Sequence, residues 1–214
     1  MPDDTLDLGP EPDAERLISD VETLKALSDP LRLRILELMT TGRDEAFTVK
    51  RLAAGLDVSQ TKLYHHVNLL AERELIRPVS TRVVSGIIET SYRIAQLNVK
   101  LDRSLFASDS PELHDMLTTV FDGARDDIER GIRAGLIDLS EGPDAVHRVI
   151  LAKGLSRLSP TRAEEFRARL NELINAFADD PIDVPAEPYG YVLSFYPMAG
   201  EPGDGPAEKG PTDG

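Results

Sequence analysis

Two helix caps set close together, followed by a run of β-branched residues, constrain this chain more than any other feature. Thr48 precedes Val49, Leu52 and Ala53, and Ser59 precedes Leu63, Val67 and Leu70. Each hydroxyl therefore stands at the N-cap of a segment with helical apolar spacing. Gly55 is read as ending the first segment through a positive φ. A short helix, a tight turn and a longer helix over about residues 60–74 make a helix-turn-helix. Residues 76–84 and 87–95 then read as strands, with Ser85-Gly86 as a two-residue hairpin turn. Ile88, Thr90, Tyr92 and Ile94 alternate with Glu89, Ser91 and Arg93, the pattern of a half-buried strand. The combination is a winged helix.

Upstream, Leu17, Val21, Leu24 and Leu27 predict a first helix over residues 14–27. Asp29-Pro30 reads as the cap and first-turn proline of a second helix, carrying Leu31, Ile35, Leu38 and Met39 and stopped by Gly42. Beyond Gln96, Leu97, Val99 and Leu101 alternate briefly. Asp109-Ser110-Pro111 then reads as the cap of a long helix toward Leu136, with Leu113, Leu117, Val120, Ala124 and Ile128 as its apolar stripe. Residues 146–158 predict a strand, Ser159-Pro160 opens a helix with Phe166, Leu170, Leu173 and Phe177 on one face, and residues 189–196 predict a closing strand. Gly123, Gly131, Gly135 and Gly154 lack the spacing of a phosphate cradle and read as sites of close helix packing or kinking.

The expected fold class is mainly α with a small β component, α+β. A disordered acidic tail spans residues 1–13, a winged helix-turn-helix domain residues 14–96, an α+β dimerisation or sensing domain residues 97–197, and a second disordered tail residues 198–214.

Charge narrows the partners. The chain carries a formal charge of -14, which argues against indiscriminate attraction to nucleic acid or anionic membranes. Residues 24–95, by contrast, hold 11 Lys or Arg against 8 Asp or Glu, leaving 13 basic and 30 acidic residues elsewhere. A mildly basic module on a strongly acidic body fits local contact with phosphates. The 214 residues contain no Cys, which removes disulfides, thiolate nucleophiles and cysteine-bearing metal sites. No run of apolar residues has the length of a membrane span, and the acidic start lacks the features of a secretory signal, so a cytoplasmic protein without membrane contact is expected.

Two stretches carry a likeness to a known family. LKALSDPLRLRILELM, residues 24–39, and SQTKLYHHVNLLAERELI, residues 59–76, resemble the opening signature and recognition helix of the ArsR-like winged-helix regulators of bacteria and archaea. With the wing, the resemblance spans about residues 14–96. The TKLYHH variant and the trailing YGYVLSFYP are more like the longer two-domain branch than the short metal sensors. The resemblance implies a transcription regulator that binds double-stranded DNA.

The residues themselves agree. With Leu63, Val67 and Leu70 turned inward, the other face of the helix carries Gln60, Thr61, Tyr64, His65 and Asn68, capped by Ser59. A helix presented this way fits the major groove, where Gln pairs bidentately with adenine and Thr meets a base edge or a thymine methyl. Lys62, Arg73 and Arg77 are assigned to phosphates, with solvated surface charge as the equal alternative, and Arg82 to the backbone or minor groove beside the wing. His66 lies beside Leu63 and Val67 and reads as a packed structural histidine.

Neither a cofactor nor a metal is expected. His114 and Asp115 are adjacent, hence on different helix azimuths, and His147 lies in a separate predicted segment. No nucleophile elbow, P-loop or dinucleotide fingerprint appears, so an enzyme is not expected. Seven of the eleven Phe and Tyr residues fall in the C-terminal half, where they read as core or dimer contact; a small-molecule effector stays open. A homodimer is expected because one recognition helix reads only a few base pairs, with the long helix after Pro111 and helix one as interface elements. The competing reading is a winged helix used for protein–protein contact without DNA.

Overall fold

The computed structural model describes residues 9–106, 111–138, 147–176 and 187–198. It separates into two compact units, Met1–Val149 and Ile150–Gly214. The fold is α+β, a winged helix-turn-helix with a small sheet.

In the first unit the elements run β1 (Asp13–Ile18), α1 (Val21–Leu27), α2 (Pro30–Thr41), β2 (Phe47–Thr48), α3 (Val49–Leu56), α4 (Gln60–Glu72), β3 (Ile76–Val84), β4 (Ile87–Ile94), β5 (Gln96–Leu101) and α5 (Pro111–Arg133). The caps act as their chemistry dictates. The Asp29 carboxylate accepts from the Arg32 backbone N–H at 3.0 Å, with Pro30 in the first turn, and the Thr48 hydroxyl accepts from Arg51 N–H at 3.2 Å. Gly42 closes α2.

The first helix is shorter than expected. Residues 13–18 are a strand, paired in parallel with β5 in register from Asp13↔Gln96 to Ile18↔Leu101. The alternation of an extended chain buries Ile18 and turns Leu17 to solvent, which a helical reading of Leu17 inverts. Asp20 then caps α1, its carboxylate accepting from Thr23 N–H at 2.7 Å. That bond holds the Asp20 carboxyl below the usual carboxylate range.

Gly55 does not end α3. The helix continues to Leu56, and Asp57 takes the left-handed conformation at φ 53°. Gly55 serves instead a close approach: a Cβ there would meet the Leu38 Cδ2 at 2.8 Å. Ser85 and Gly86, at φ 52° and 81°, form the expected hairpin turn. β2, β4 and β3 make a three-stranded antiparallel sheet in that order.

The core gathers Leu24, Ile35, Met39, Leu52, Leu63, Val67, Leu70, Leu75 and Ile94, all but sealed from water. Met116 of α5 joins it, with Leu113 and Val120 packed against it, so α5 belongs to the same body as the winged helix. Ser28 Oγ donates to Glu112 O at 3.2 Å and Thr119 Oγ1 donates to Ser28 O at 3.0 Å, pinning α1 to α5. Of the expected cap of this helix, Asp109 and Ser110 lie outside the described residues. Its C-terminus closes at Gly135, φ 70°: Gly135 N–H bonds Ile132 O and Leu136 N–H bonds Gly131 O, a Schellman motif. Gly131 admits Ile137, whose Cδ1 lies 2.8 Å from where a Cβ would stand.

β4 departs from simple alternation. Ser91 and Arg93, expected on the polar face, are buried along with Ile94, while Ile88 near the turn is exposed. Arg93 is tolerated inside because its Nε donates to Arg43 O at 2.8 Å and a second guanidinium nitrogen donates to Pro10 O at 3.3 Å. Of the N-terminal segment expected to be disordered, Gly9 to Asp13 are described: Arg77 also donates to the carbonyls of Pro10 and Glu11, and Asp13 N–H to Ala95 O.

In the second unit α6 (Pro160–Ala176) is formed, with Ser159 Oγ accepting from Arg162 N–H at 3.3 Å. The Phe166 and Phe195 rings meet at 4.6 Å between centroids. The two flanking strands are not formed: the described parts of residues 146–158 and 189–196 join no ladder. Strand propensity without a neighbouring strand forms no ladder. Val146 and Phe177 lie outside the described residues.

Candidate nucleic-acid interface

α4 is built as a two-faced rod. Leu63, Val67 and Leu70 are fully buried, and α3 and β3 pack against the helix. Ser59 supplies its cap, accepting from the Lys62 N–H at 3.4 Å, and leaves the first turn facing water. Gln60, Thr61, Lys62, Tyr64, His65 and Asn68 are all exposed. Tyr64 shows 52% of its surface, a large aromatic held out from a well-filled core. Among the described residues, Gln60, Thr61, Lys62, Tyr64 and Asn68 have no side-chain hydrogen-bond or ion-pair partner. A face of unengaged amides, hydroxyls and one ammonium offers donors and acceptors to an external polar edge.

His66 turns the other way, as a packed residue. Its Nδ1 lies 3.4 Å from Asp29 Oδ1 without a hydrogen bond of good geometry. Burial pushes its pKa below the usual imidazole value, and the Asp29 charge opposes the shift only in part. His65 stays outside, its ring edge-on to His66 at 5.9 Å.

The three arginines are each engaged within the chain. Arg73 is the C-cap of α4; its carbonyl accepts from Arg16 at 2.7 Å and its guanidinium lies 4.0 Å from Glu22. Arg77 is committed to the carbonyls of Pro10 and Glu11. Arg82 reaches into solvent on the wing but pairs with Glu89 at 2.6 Å. Each would have to exchange an internal partner for a phosphate. Lys62 would not, and neither would Lys50, an exposed cation in the first turn of α3 that sequence reasoning passed over. Its signal was present in the Thr48 cap, which places Lys50 in a helix's first turn. The neighbouring Arg51 is held by Glu45 and lies over the Phe47 ring at 4.5 Å.

At the C-terminal end of α4 an open cleft of about 480 Å³ is lined by Asp13, Arg16, Glu74, Ile76, Arg77 and Gln96 among others. Its cations and acids are interspersed, and Arg16 crosses to the Arg73 and Glu74 carbonyls. Among the described residues no group of three or more His, Asp or Glu stands together as a metal site, and no helix is long and apolar enough to cross a membrane.

Comparison with known proteins places a family described as helix-turn-helix domain on residues 27–79, which takes in α2, α3, α4 and the start of β3. The chain carries that domain. Among solved structures, reduced HlyU from Vibrio cholerae N16961 is 28% identical, covering 35% of this chain and 70% of its own, with a TM-score of 0.28. No curated protein matches the chain.

Proposed function

We propose that this chain is a sequence-specific DNA-binding transcription regulator of the ArsR-like kind, working in the cytoplasm as a homodimer and not as an enzyme. The single observation that carries the reading is the outward face of α4. A helix seated on a filled core presents Gln60, Thr61, Tyr64 and Asn68 with no partner among the described residues. In this reading α4 enters the major groove and the β3–β4 wing lies along the backbone. Gln60 and Thr61 read base edges, Tyr64, His65 and Asn68 contact bases or sugars, Ser59 and Lys62 meet phosphates, and Arg73, Arg77 and Arg82 join only by releasing their internal partners. Residues 14–96 are the reader and residues 97–197 the dimerisation or effector body. The outward apolar residues Leu117, Phe121 and Ile132 of α5 suit a helix-to-helix dimer contact.

The test is selection of bound duplexes from a random pool by the full chain, followed by binding across a salt series. A recovered common motif, tight binding that weakens steeply with salt, and loss of discrimination in Gln60→Ala/Tyr64→Ala with the fold intact are the expected results. No common motif, with weak and equal binding to every duplex at low salt, overturns the reading in favour of protein–protein contact.

A further inference from the structure

The segment ahead of β1 is fastened by side chains rather than by a ladder. Residues 9–13 read Gly-Pro-Glu-Pro-Asp, and the prolines at 10 and 12 have no N–H to give a neighbouring strand. The β1 ladder begins at Asp13, whose N–H also donates to Ala95 O. Two arginines of the wing strands hold what precedes it. Arg77 donates to the carbonyls of both Pro10 and Glu11, and Arg93 donates to Pro10 O at 3.3 Å. The chain thus runs back past Arg77 to Gly9, where a Cβ would lie 3.8 Å from Val79 Cγ1, at the point where β3 slips register. Beneath it the Arg77 Nε is sealed from water, with no hydrogen-bond partner among the described residues.

We infer that residues 9–11 form an autoinhibitory strap, which withholds Arg77 from the DNA backbone and yields it when a phosphate competes. The inference rests on the DNA reading of the proposed function and adds a control element to it. Three observations single out this segment. The acceptors of Arg77 are neutral carbonyls, whereas the guanidinium groups of Arg73 and Arg82 face the carboxylates of Glu22 and Glu89. A charged phosphate makes a stronger bond to a guanidinium than a neutral carbonyl does, so the exchange favours DNA at Arg77 and is nearly even at the other two. Lifting residues 9–11 also leaves the sheets whole, because the β1–β5 ladder starts at Asp13 and the β3–β4 ladder does not involve them. Finally, residues 1–11 carry Asp3, Asp4, Asp7 and Glu11 and no Lys or Arg, so an approaching phosphate backbone repels the very segment that covers Arg77.

The experiment is binding across a salt series to the duplex recovered by selection, using the parent, a chain lacking residues 1–11, and each of these with Arg77→Ala. Deletion should tighten binding about fivefold and steepen the slope of log affinity against log salt by about 0.9 for each recognition module, as one further phosphate contact requires. Arg77→Ala should cancel the steepening in the shortened chain. A second variant keeps the full chain: in a protein without Cys, Gly9→Cys/Val79→Cys supplies one reversible lock on the strap. Its oxidised form should bind at least threefold more weakly than its reduced form. Equal binding by the parent and the shortened chain, a steepening that survives Arg77→Ala, or a lock whose two forms bind alike each overturns the strap and leaves the DNA reading standing. A full-length Asp3→Asn/Asp4→Asn/Asp7→Asn/Glu11→Gln variant that reproduces the steeper slope overturns it too, since the carbonyls that hold Arg77 are then untouched. Failure of selection to recover any duplex overturns the regulator reading itself, and the strap with it.

Discussion

Arg93 is the residue whose removal tests the account of the core most sharply. It sits 5% exposed in the middle strand of the sheet, donating to Arg43 O and to Pro10 O. Arg93→Met keeps the length and apolar stem of the side chain but leaves those carbonyls without their donors. Hydrogen bonds from a charged group contribute about 1.5–3 kcal/mol each, and the 3.3 Å bond belongs at or below the low end, so a loss of about 2–4 kcal/mol is expected. Deleting residues 1–11 removes the Pro10 acceptor independently. In a double-mutant cycle the two changes should couple by about 0.5–1.5 kcal/mol, the worth of the shared bond. Urea unfolding followed by circular dichroism measures both quantities, with the slope reporting whether the denatured state has changed. An Arg93→Met protein within about 0.5 kcal/mol of the parent would refute the burial argument, since that is the range of an ordinary surface change. Additivity within about 0.3 kcal/mol would refute the tie to the N-terminal segment.

Three further outcomes are expected. Leu63→Ala, on the buried face of α4, should cost about 2–5 kcal/mol in the same unfolding assay, whereas Gln60→Ala, in the same turn but on the exposed face, should stay within about 0.5 kcal/mol. Glu74 holds φ 55° at the end of α4 in a Schellman motif, so Glu74→Gly should raise stability by up to about 1 kcal/mol; a loss in thermal melting would show that its contacts with Arg16 outweigh the backbone strain. His66 has a folded-state pKa below its unfolded one, so the unfolded chain takes up the proton first. Its contribution is complete above the ordinary imidazole value and is lost as pH falls through about 6.5 toward the lowered folded value. Stability of His66→Gln should therefore fall less than that of the parent between neutral pH and pH 5, and parallel pH profiles would contradict the assigned burial.

What the sequence made legible was local. Asp29-Pro30, Thr48 and Ser59 announce helix starts because a short polar side chain before an apolar-periodic run has one structural use, and Ser85-Gly86 announces its turn for a similar reason. The exposed face of α4 followed from its buried stripe. What escaped was decided by distant partners. Residues 13–18 are a strand because residues 96–101 lie beside them, and no periodicity in either segment advertises a parallel neighbour. Arg93 and Arg77 look like surface charges until the carbonyls of Pro10, Glu11 and Arg43 are seen against them. Gly55 offers conformational freedom in the sequence, but in the fold its missing side chain makes room for Leu38.

The pairing of β1 with β5 also orders events in time. β1 is synthesised ahead of the helix-turn-helix and wing, yet its ladder partner follows them both. Until residues 96–101 emerge from the ribosome, the nascent recognition module lacks the strand that seals Ile18 over the core. The contact spans a long stretch of sequence, so its closure is a late and slow step by comparison with the local helices. A fragment ended at residue 95 would reproduce that unfinished intermediate permanently, whereas one carried through residue 106 would include the closing strand and the buried Leu105 behind it.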